Sequence, residues 1–274
     1  MTPAPLVRYH EVRFAYAGSE RPALDGVTFA AAEGEGVALF GANGAGKSTI
    51  LRLAMGLERG ASGAVESAGL DATTAPPEAI ATVAGFLFQQ PETQLFEPTV
   101  ARDVAFGPRC LGWDTARIEA AVRGSLEEVG LGAVADVHPY DLPAPHRRLV
   151  ALAAVLATGP RLLLLDEPTA ALDRASRETV RRVVRRRRDA GVTVLAVTHD
   201  GEFALEALDR ALLVDRGRIV ADDSVVSLLG RPGAPDLPAP AVLARRLGLR
   251  VPVPRTADVL EALLGALPQP SAPR

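Results

Sequence analysis

Two rhythms of apolar and polar positions run along the chain. From Leu6 to Tyr16, and again near Val27–Ala30, the rough period is two, which predicts strands. Turns at Gly18 and Gly34–Gly36 punctuate this stretch. Val37–Phe40, Val83–Phe88, Arg161–Leu165 and Val192–Val197 are short runs rich in apolar residues, as expected of buried strands. Ser48–Gly56 places Ile50, Leu51, Leu53 and Ala54 at helical spacing, and Ala175–Ala190 and Glu202–Leu208 also read as helices. Ala211–Val214 with Arg218–Val220 reads as a strand pair. Strands alternating with helices predict an α/β core with a mostly parallel sheet, preceded by antiparallel N-terminal strands. Residues 92–157 read mostly helical with polar loops. They are too long for one crossover and are expected to form an inserted helical subdomain.

The pattern changes after Leu229. Gly230-Arg-Pro-Gly-Ala-Pro reads as a linker. Two short helices are expected beyond it, near Ala241–Leu247 and Ala257–Leu267, with Thr256 as the N-cap of the second. The expected division is therefore a domain over 1–229 and a short extension over 230–274. No repeat of fold size is present.

Composition narrows the class. The 274 residues are 48% hydrophobic and 23% charged, which excludes a disordered or collagen-like chain. A lone cysteine, Cys110, forbids an internal disulfide and suits a reducing compartment. The longest apolar run, Leu149–Ala157, is far short of the ~20 residues of a membrane helix. The N-terminus lacks the basic-then-apolar plan of a signal peptide. A soluble, cytoplasmic chain is expected. A net charge of −3 argues against broad binding to nucleic acid. Of the 30 basic residues, 29 are arginine, and the single lysine is Lys47.

That lysine lies in Gly41-Ala-Asn-Gly-Ala-Gly-Lys-Ser-Thr49, which fits G-x-x-x-x-G-K-[ST], between an expected strand and an expected helix. The glycines let the backbone curl so that its N–H groups face phosphate oxygens. The helix behind adds its positive end. Lys47 supplies a compact ammonium on a flexible stem, which a planar guanidinium does not replace. The candidate nucleotide-binding residues are Gly41, Asn43, Gly44, Ala45, Gly46, Lys47, Ser48 and Thr49. Ser48 offers a hydroxyl to Mg²⁺. Two further features join this P-loop NTPase core. Arg161-Leu-Leu-Leu-Leu-Asp-Glu167 delivers Asp166 to the carboxyl end of a central strand, where it would hold Mg²⁺, with Glu167 next to it as a general base. Val197-Thr-His-Asp200 places His199 after another apolar strand, in reach of a γ-phosphate.

The P-loop, Phe88-Gln89, Leu-Leu-Asp-Glu-Pro-Thr, Ala171-Leu-Asp173 and Thr-His-Asp follow one another in the order of the ATP-binding-cassette ATPases, which the chain resembles over about residues 6–225. The resemblance implies ATP and Mg²⁺ as ligands. It makes Tyr16 the aromatic that stacks on adenine and Gln89 a contact to Mg²⁺ and the attacking water. It makes Asp173 the D-loop aspartate and His199 the switch histidine. Phe88-Gln-Gln-Pro-Glu-Thr-Gln-Leu-Phe96, Pro98-Thr-Val and Asp103-Val-Ala-Phe-Gly-Pro108 further resemble the energy-coupling-factor importers of cobalt, nickel or vitamins. So do Leu-Pro-Ala-Pro and Ala-Arg-Arg-Leu-Gly-Leu near the C-terminus. That resemblance implies a second ATPase subunit, a transmembrane coupling protein and a substrate-binding membrane protein as partners, at the cytoplasmic face of the cell membrane.

One segment departs from the family. The signature loop Leu-Ser-Gly-Gly-Gln clamps the γ-phosphate of ATP held by the partner ATPase, and the aligned residues here are Leu142-Pro-Ala-Pro-His146. The serine hydroxyl, two backbone N–H groups and two glycines are lost. Each missing donor in a water-poor site costs about 3–4 kcal/mol of transition-state stabilisation. A heterodimer with a partner that carries an intact signature is therefore favoured over a homodimer. A subunit that binds nucleotide with little hydrolysis of its own, or an ATPase of another transporter class, remains the alternative. A GTPase would need an Asn-Lys-x-Asp reader, for which no lysine is left. One P-loop in 274 residues argues against the two-cassette proteins of translation and repair. The basic run Arg181–Arg188 reads as a solvated helix face, with Val183 and Val184 inward and Glu178 paired to Arg182.

Overall fold

The computed structural model describes residues 5–230. The expected helices near Ala241–Leu247 and Ala257–Leu267 lie outside the described residues. In chain order, β1 (Pro5–Phe14), β2 (Leu24–Ala32) and β3 (Gly36–Phe40) lead into α1 (Lys47–Ala54). Then come β4 (Ser62–Ser67), β5 (Leu70–Asp71), α2 (Pro77–Ala81) and β6 (Ala84–Leu87). Three longer helices follow: α3 (Val100–Cys110), α4 (Thr115–Glu128) and α5 (Ala144–Ala157). The chain continues through β7 (Leu162–Asp166), α6 (Arg174–Asp189), β8 (Thr193–Val197) and α7 (Gly201–Ala207). It closes with β9 (Arg210–Asp215), β10 (Arg218–Ser224) and α8 (Val225–Leu229).

The expected α/β architecture is present. A six-stranded sheet runs β10-β9-β3-β8-β7-β6, parallel throughout except for the edge pair β9–β10. Every residue of β3, β7 and β8 is buried. These strands are the continuous apolar runs, and both faces of the sheet are covered. Val37, Leu39, Leu162, Leu164 and Leu195 face one core layer; Ala38, Phe40, Leu163, Leu165 and Val194 face the other. A second sheet, β2-β1-β4-β5, is antiparallel. Strands β4 and β5 are absent from the sequence expectation. Ser62–Ser67 buries only Val65 and Ser67 and reads as polar loop; pairing with β1 supplies the hydrogen bonds that hold it extended.

Residues 92–157 are helical as expected. Thr99 caps α3 by accepting from Arg102 N–H (3.3 Å), and Asp114 caps α4 by accepting from Arg117 N–H (2.9 Å). Among the described residues no helix is long and apolar enough to cross a membrane.

The basic run differs from its expected role. Val183 and Val184 are buried as expected, but Glu178 pairs with Arg181 (3.7 Å) and not with Arg182. Arg181 turns toward α7, where it also meets Glu202 (2.9 Å) and Glu206 (3.8 Å). Arg187 is paired with Glu128 on α4, and Arg188 with Asp209 (3.0 Å). The α6 arginines thus dock neighbouring elements as well as facing solvent. The reason is tertiary: acidic residues on α4 and α7 come within reach only once the helices are packed.

Candidate functional site

Strand order builds the site. β3, β8, β7 and β6 lie side by side and parallel, so their carboxyl ends share one edge. Chain leaving that edge carries, in spatial order, Gly41–Lys47, His199, Asp166–Glu167 and Gln89. Four segments distant in sequence become neighbours because the chain passes from β3 out to the edge strand β6 and returns through β7 and β8 to lie beside β3.

After β3 the backbone needs glycine at two places. Gly41 has φ +145°, and a Cβ there would lie 2.1 Å from the Val214 carbonyl oxygen. Gly46 has φ +105°, and a Cβ there would lie 2.4 Å from the Ala23 carbonyl oxygen. The loop is therefore pressed against β9 and the approach to β2, with no space for a side chain at either end. Gly217 N–H donates to Ala45 O (2.9 Å) and ties the loop to the β9–β10 turn. Gly46 is also the N-cap of α1, with no side-chain capping bond. The first N–H groups of that helix have no intrahelical acceptor and point toward the loop mouth. Asn43 and Gly44 are exposed at the loop tip, while Ala45 is buried.

Lys47 is only 6% exposed. Its Nζ donates to Gly41 O (2.6 Å) and Ala42 O (3.0 Å), so the ammonium curls back over the loop. Burial lowers its pKa; the nearby Glu167 and Asp166 carboxylates oppose that shift. Thr49 is buried, and its hydroxyl shares a hydrogen bond with the Tyr16 hydroxyl (3.2 Å). Tyr16 itself stands half exposed at the mouth, edge-on to Phe14. Tyr16, Lys47, Ser48, Gln89, Asp166 and Glu167 all line one cavity of about 490 Å³.

Asp166 is buried at the end of β7, and burial pushes its pKa up. A hydrogen bond from Ser48 and the cations Arg52, Lys47 and Arg148 pull the other way. The next residue, Glu167, has φ +52°, a conformation that costs a non-glycine residue about 1–3 kcal/mol and tends to mark functional sites. Its N–H is held by Val197 O (2.9 Å). The carboxylate faces His199: Oε1 lies 3.3 Å from Nε2, and Oε2 accepts from the His199 backbone N–H (3.3 Å). Burial raises the Glu167 pKa, with His199 opposing. A second cavity of about 560 Å³ continues from the first past Asn43, Gln89, Glu167 and His199.

All the residues expected from the sequence to bind nucleotide or carry chemistry therefore border one continuous cleft or its loop. Asp173 sits apart, as the N-cap of α6. It accepts from Ser176 N–H (2.8 Å), which holds its carboxyl below the usual range. Sequence reasoning missed Arg148. It is 7% exposed on α5, and its Nη2 donates to Gln89 O (2.6 Å) and Glu167 O (3.1 Å). Its spacing to Leu152 and Leu156, four and eight residues on, was the available signal that it shares their buried face.

Leu142–His146 forms the entry to α5. Leu142 is buried, Pro143 is the N-cap with no side-chain capping bond, and Pro145 is the second residue of the helix.

Comparison with known proteins places this site in a family. The model described as ABC transporter matches residues 24–170. The chain is 44% identical over 216 residues to a putative ABC transporter ATP-binding protein of Streptomyces coelicolor, covering 79% of this chain and 82% of that protein. It is 39% identical over 221 residues to a cobalt import ATP-binding protein of Syntrophus aciditrophicus, covering 80% and 78%. Among solved structures, a dimeric post-hydrolysis state of the cassette MJ0796 bound to ADP and Pi superposes with a TM-score of 0.73. It is 25% identical and covers 80% of this chain and 98% of that one.

Proposed function

The chain belongs to the ABC transporter family as an ATP-binding, ATP-hydrolysing cassette, and from that premise we propose that it energises an importer of the energy-coupling-factor type. The observation that carries the catalytic part of the reading is the convergence of Lys47, Ser48, Asp166, Glu167, His199 and Gln89 on one cleft. The cobalt-import relative supports the importer class.

In this reading the Gly41–Thr49 loop and the start of α1 bind the phosphates through backbone N–H groups, and Lys47 exchanges its carbonyl partners for β- and γ-phosphate oxygens. Tyr16 stacks on the adenine. The donor set at the β7 end fits Mg²⁺. Ser48 hydroxyl and Asp166 carboxylate are hard oxygen ligands already hydrogen-bonded to each other, with Gln89 on the same cavity. The charge neutralisation that a Mg²⁺ held by Ser48 and Asp166 would supply to the phosphates completes the site. Glu167 takes a proton from the attacking water as the water oxygen bonds to the γ-phosphorus. The bond to the bridging oxygen breaks, leaving ADP and inorganic phosphate. His199, held by Glu167, contacts the γ-phosphate.

The entry to α5 supports a partner-dependent cycle. With proline at the N-cap and at the second helical position, it offers few N–H donors to a γ-phosphate bound by another subunit. We therefore place this chain in a heterodimer whose other subunit supplies an intact clamp. The pair would sit on membrane proteins at the cytoplasmic face. The test is ATP binding and turnover by the purified chain, with Lys47→Ala and Glu167→Gln as controls. Tight binding with turnover only after addition of a second cassette subunit is expected. Full turnover by the chain alone, lost in Glu167→Gln, would overturn the heterodimer.

A further inference from the structure

Arg148 is a buried cation that touches two of the segments leaving the sheet edge. It stands on α5, five residues into the helix and two residues past His146. A single guanidinium nitrogen, Nη2, donates to the carbonyl of Gln89 at 2.6 Å and to the carbonyl of Glu167 at 3.1 Å. Both acceptors lie just past adjacent parallel strands. Leu87, the last residue of β6, is registered opposite Leu165 of β7. Beyond that point the sheet ladder no longer joins the two chains. Glu167, at φ +52°, turns out of the strand. Arg148 therefore spans the place where β6 and β7 part, between the backbones that carry Gln89 and Glu167.

Physical reasons make this contact costly to lose. A buried guanidinium with charge-assisted donors binds its acceptors more strongly than a neutral group; removing it takes that donor from the Gln89 carbonyl and leaves the Glu167 carbonyl with the Ala170 N–H (3.1 Å). We propose that Arg148 is a positioning residue: by bridging the Gln89 and Glu167 carbonyls from α5, it sets the spacing of these two side chains across the cleft. The bridge also couples that spacing to α5, whose first turn is the Leu142–His146 entry. This inference rests on the roles given above to Gln89 and Glu167; the bridge itself does not.

The test is peptide-level hydrogen exchange on the full chain with Mg²⁺ and ATP, comparing wild type, Arg148→Met and Arg148→Lys. Arg148→Met is expected to speed exchange in segments 86–92 and 164–171 by about tenfold or more, the factor expected when a charge-assisted hydrogen bond is lost. Segment 40–50 should stay at the wild-type rate. Arg148→Lys, which keeps a buried cationic donor, should recover part of the protection. Wild-type exchange in both segments of Arg148→Met would overturn the proposal. So would equal acceleration everywhere, which marks loss of general stability. If Arg148→Met does not fold, Arg148→Lys and Arg148→Gln are read on the same segments.

Kinetics supply a second readout. In the assembly that turns over, kcat is expected to fall about 10²-fold in Arg148→Met, as for a misplacement of about 1 Å. KM should stay within about threefold, because Lys47 and its loop are untouched. An unchanged kcat, or a loss confined to KM, would overturn the proposal. Absence of ATP binding by the wild-type chain would instead refute the nucleotide reading and leave the exchange result standing.

Discussion

Helices α1 and α5 both begin without a side-chain cap, and they are built for opposite purposes. At α1 the N-cap is Gly46 in a left-handed conformation, and the first residues are Lys47, Ser48 and Thr49. At α5 the N-cap is Pro143, and the first residues are Ala144, Pro145 and His146. Both starts carry the positive end of a helix. Only α1 keeps all three of its leading N–H groups, adds an ammonium, and is preceded by a loop that wraps its mouth. The α5 start loses one N–H at the cap and one at Pro145. A helix dipole alone is therefore a weak phosphate site. The donors that the surrounding residues leave open decide the matter.

The largest effect expected on this comparison comes from the chemistry at the α1 side. Glu167→Gln should lower turnover about 10²–10⁴-fold while ATP still binds, as measured by steady-state hydrolysis beside calorimetric titration. The same carboxylate predicts the pH profile. Burial raises the Glu167 pKa above the ordinary 4.5, and the base works only when deprotonated. Turnover should therefore fall with decreasing pH already above 4.5, and a limb at or below that value would remove Glu167 from the role.

Next in size is a change at the α5 side. Pro143→Ser, Ala144→Gly, Pro145→Gly and His146→Gln together restore the missing donors. They should raise turnover of the chain alone about 10²-fold or more, since one such donor is worth about 10²–10³. No change would break the comparison between the two helix starts. A smaller loss is expected in Lys47→Ala, about 10–100-fold in ATP affinity by titration, from removal of a charged hydrogen-bond donor. Smallest is Tyr16→Ala. Losing one aromatic stack should weaken ATP binding only about 2–10-fold, and an equal loss with GTP would show that the ring reads no more than a planar base.

The legibility of the molecule follows the same divide between local and distant contacts. The glycine loop, Asp166, Glu167 and His199 were readable because each sits in a short contiguous pattern beside an apolar strand. The core strands were readable because burial on both faces demands apolar runs. Strand β4 was not, since its polar residues are held extended only by pairing with β1. The pairing of Glu178 was misassigned because helical spacing permits both Arg181 and Arg182. The choice of Arg181 depends on Glu202 and Glu206 of α7 lying on that side.

By itself, the sequence determined the local chemistry: a phosphate loop with the chain's single lysine, a carboxylate pair ending an apolar strand, a histidine after another, and a proline-bearing helix start. Each is encoded within a few consecutive residues, where backbone geometry follows residue type. Only the tertiary structure decided how these pieces meet. The order β3-β8-β7-β6 is not the order of the chain, so the juxtaposition of Lys47, His199, Glu167 and Gln89 is a property of the wound sheet. The left-handed turn at Glu167 and the Arg148 bridge to Gln89 depend on that same packing. The reason is physical: burial, charge and hydrogen bonding act over a few ångströms in space, whatever the separation along the chain.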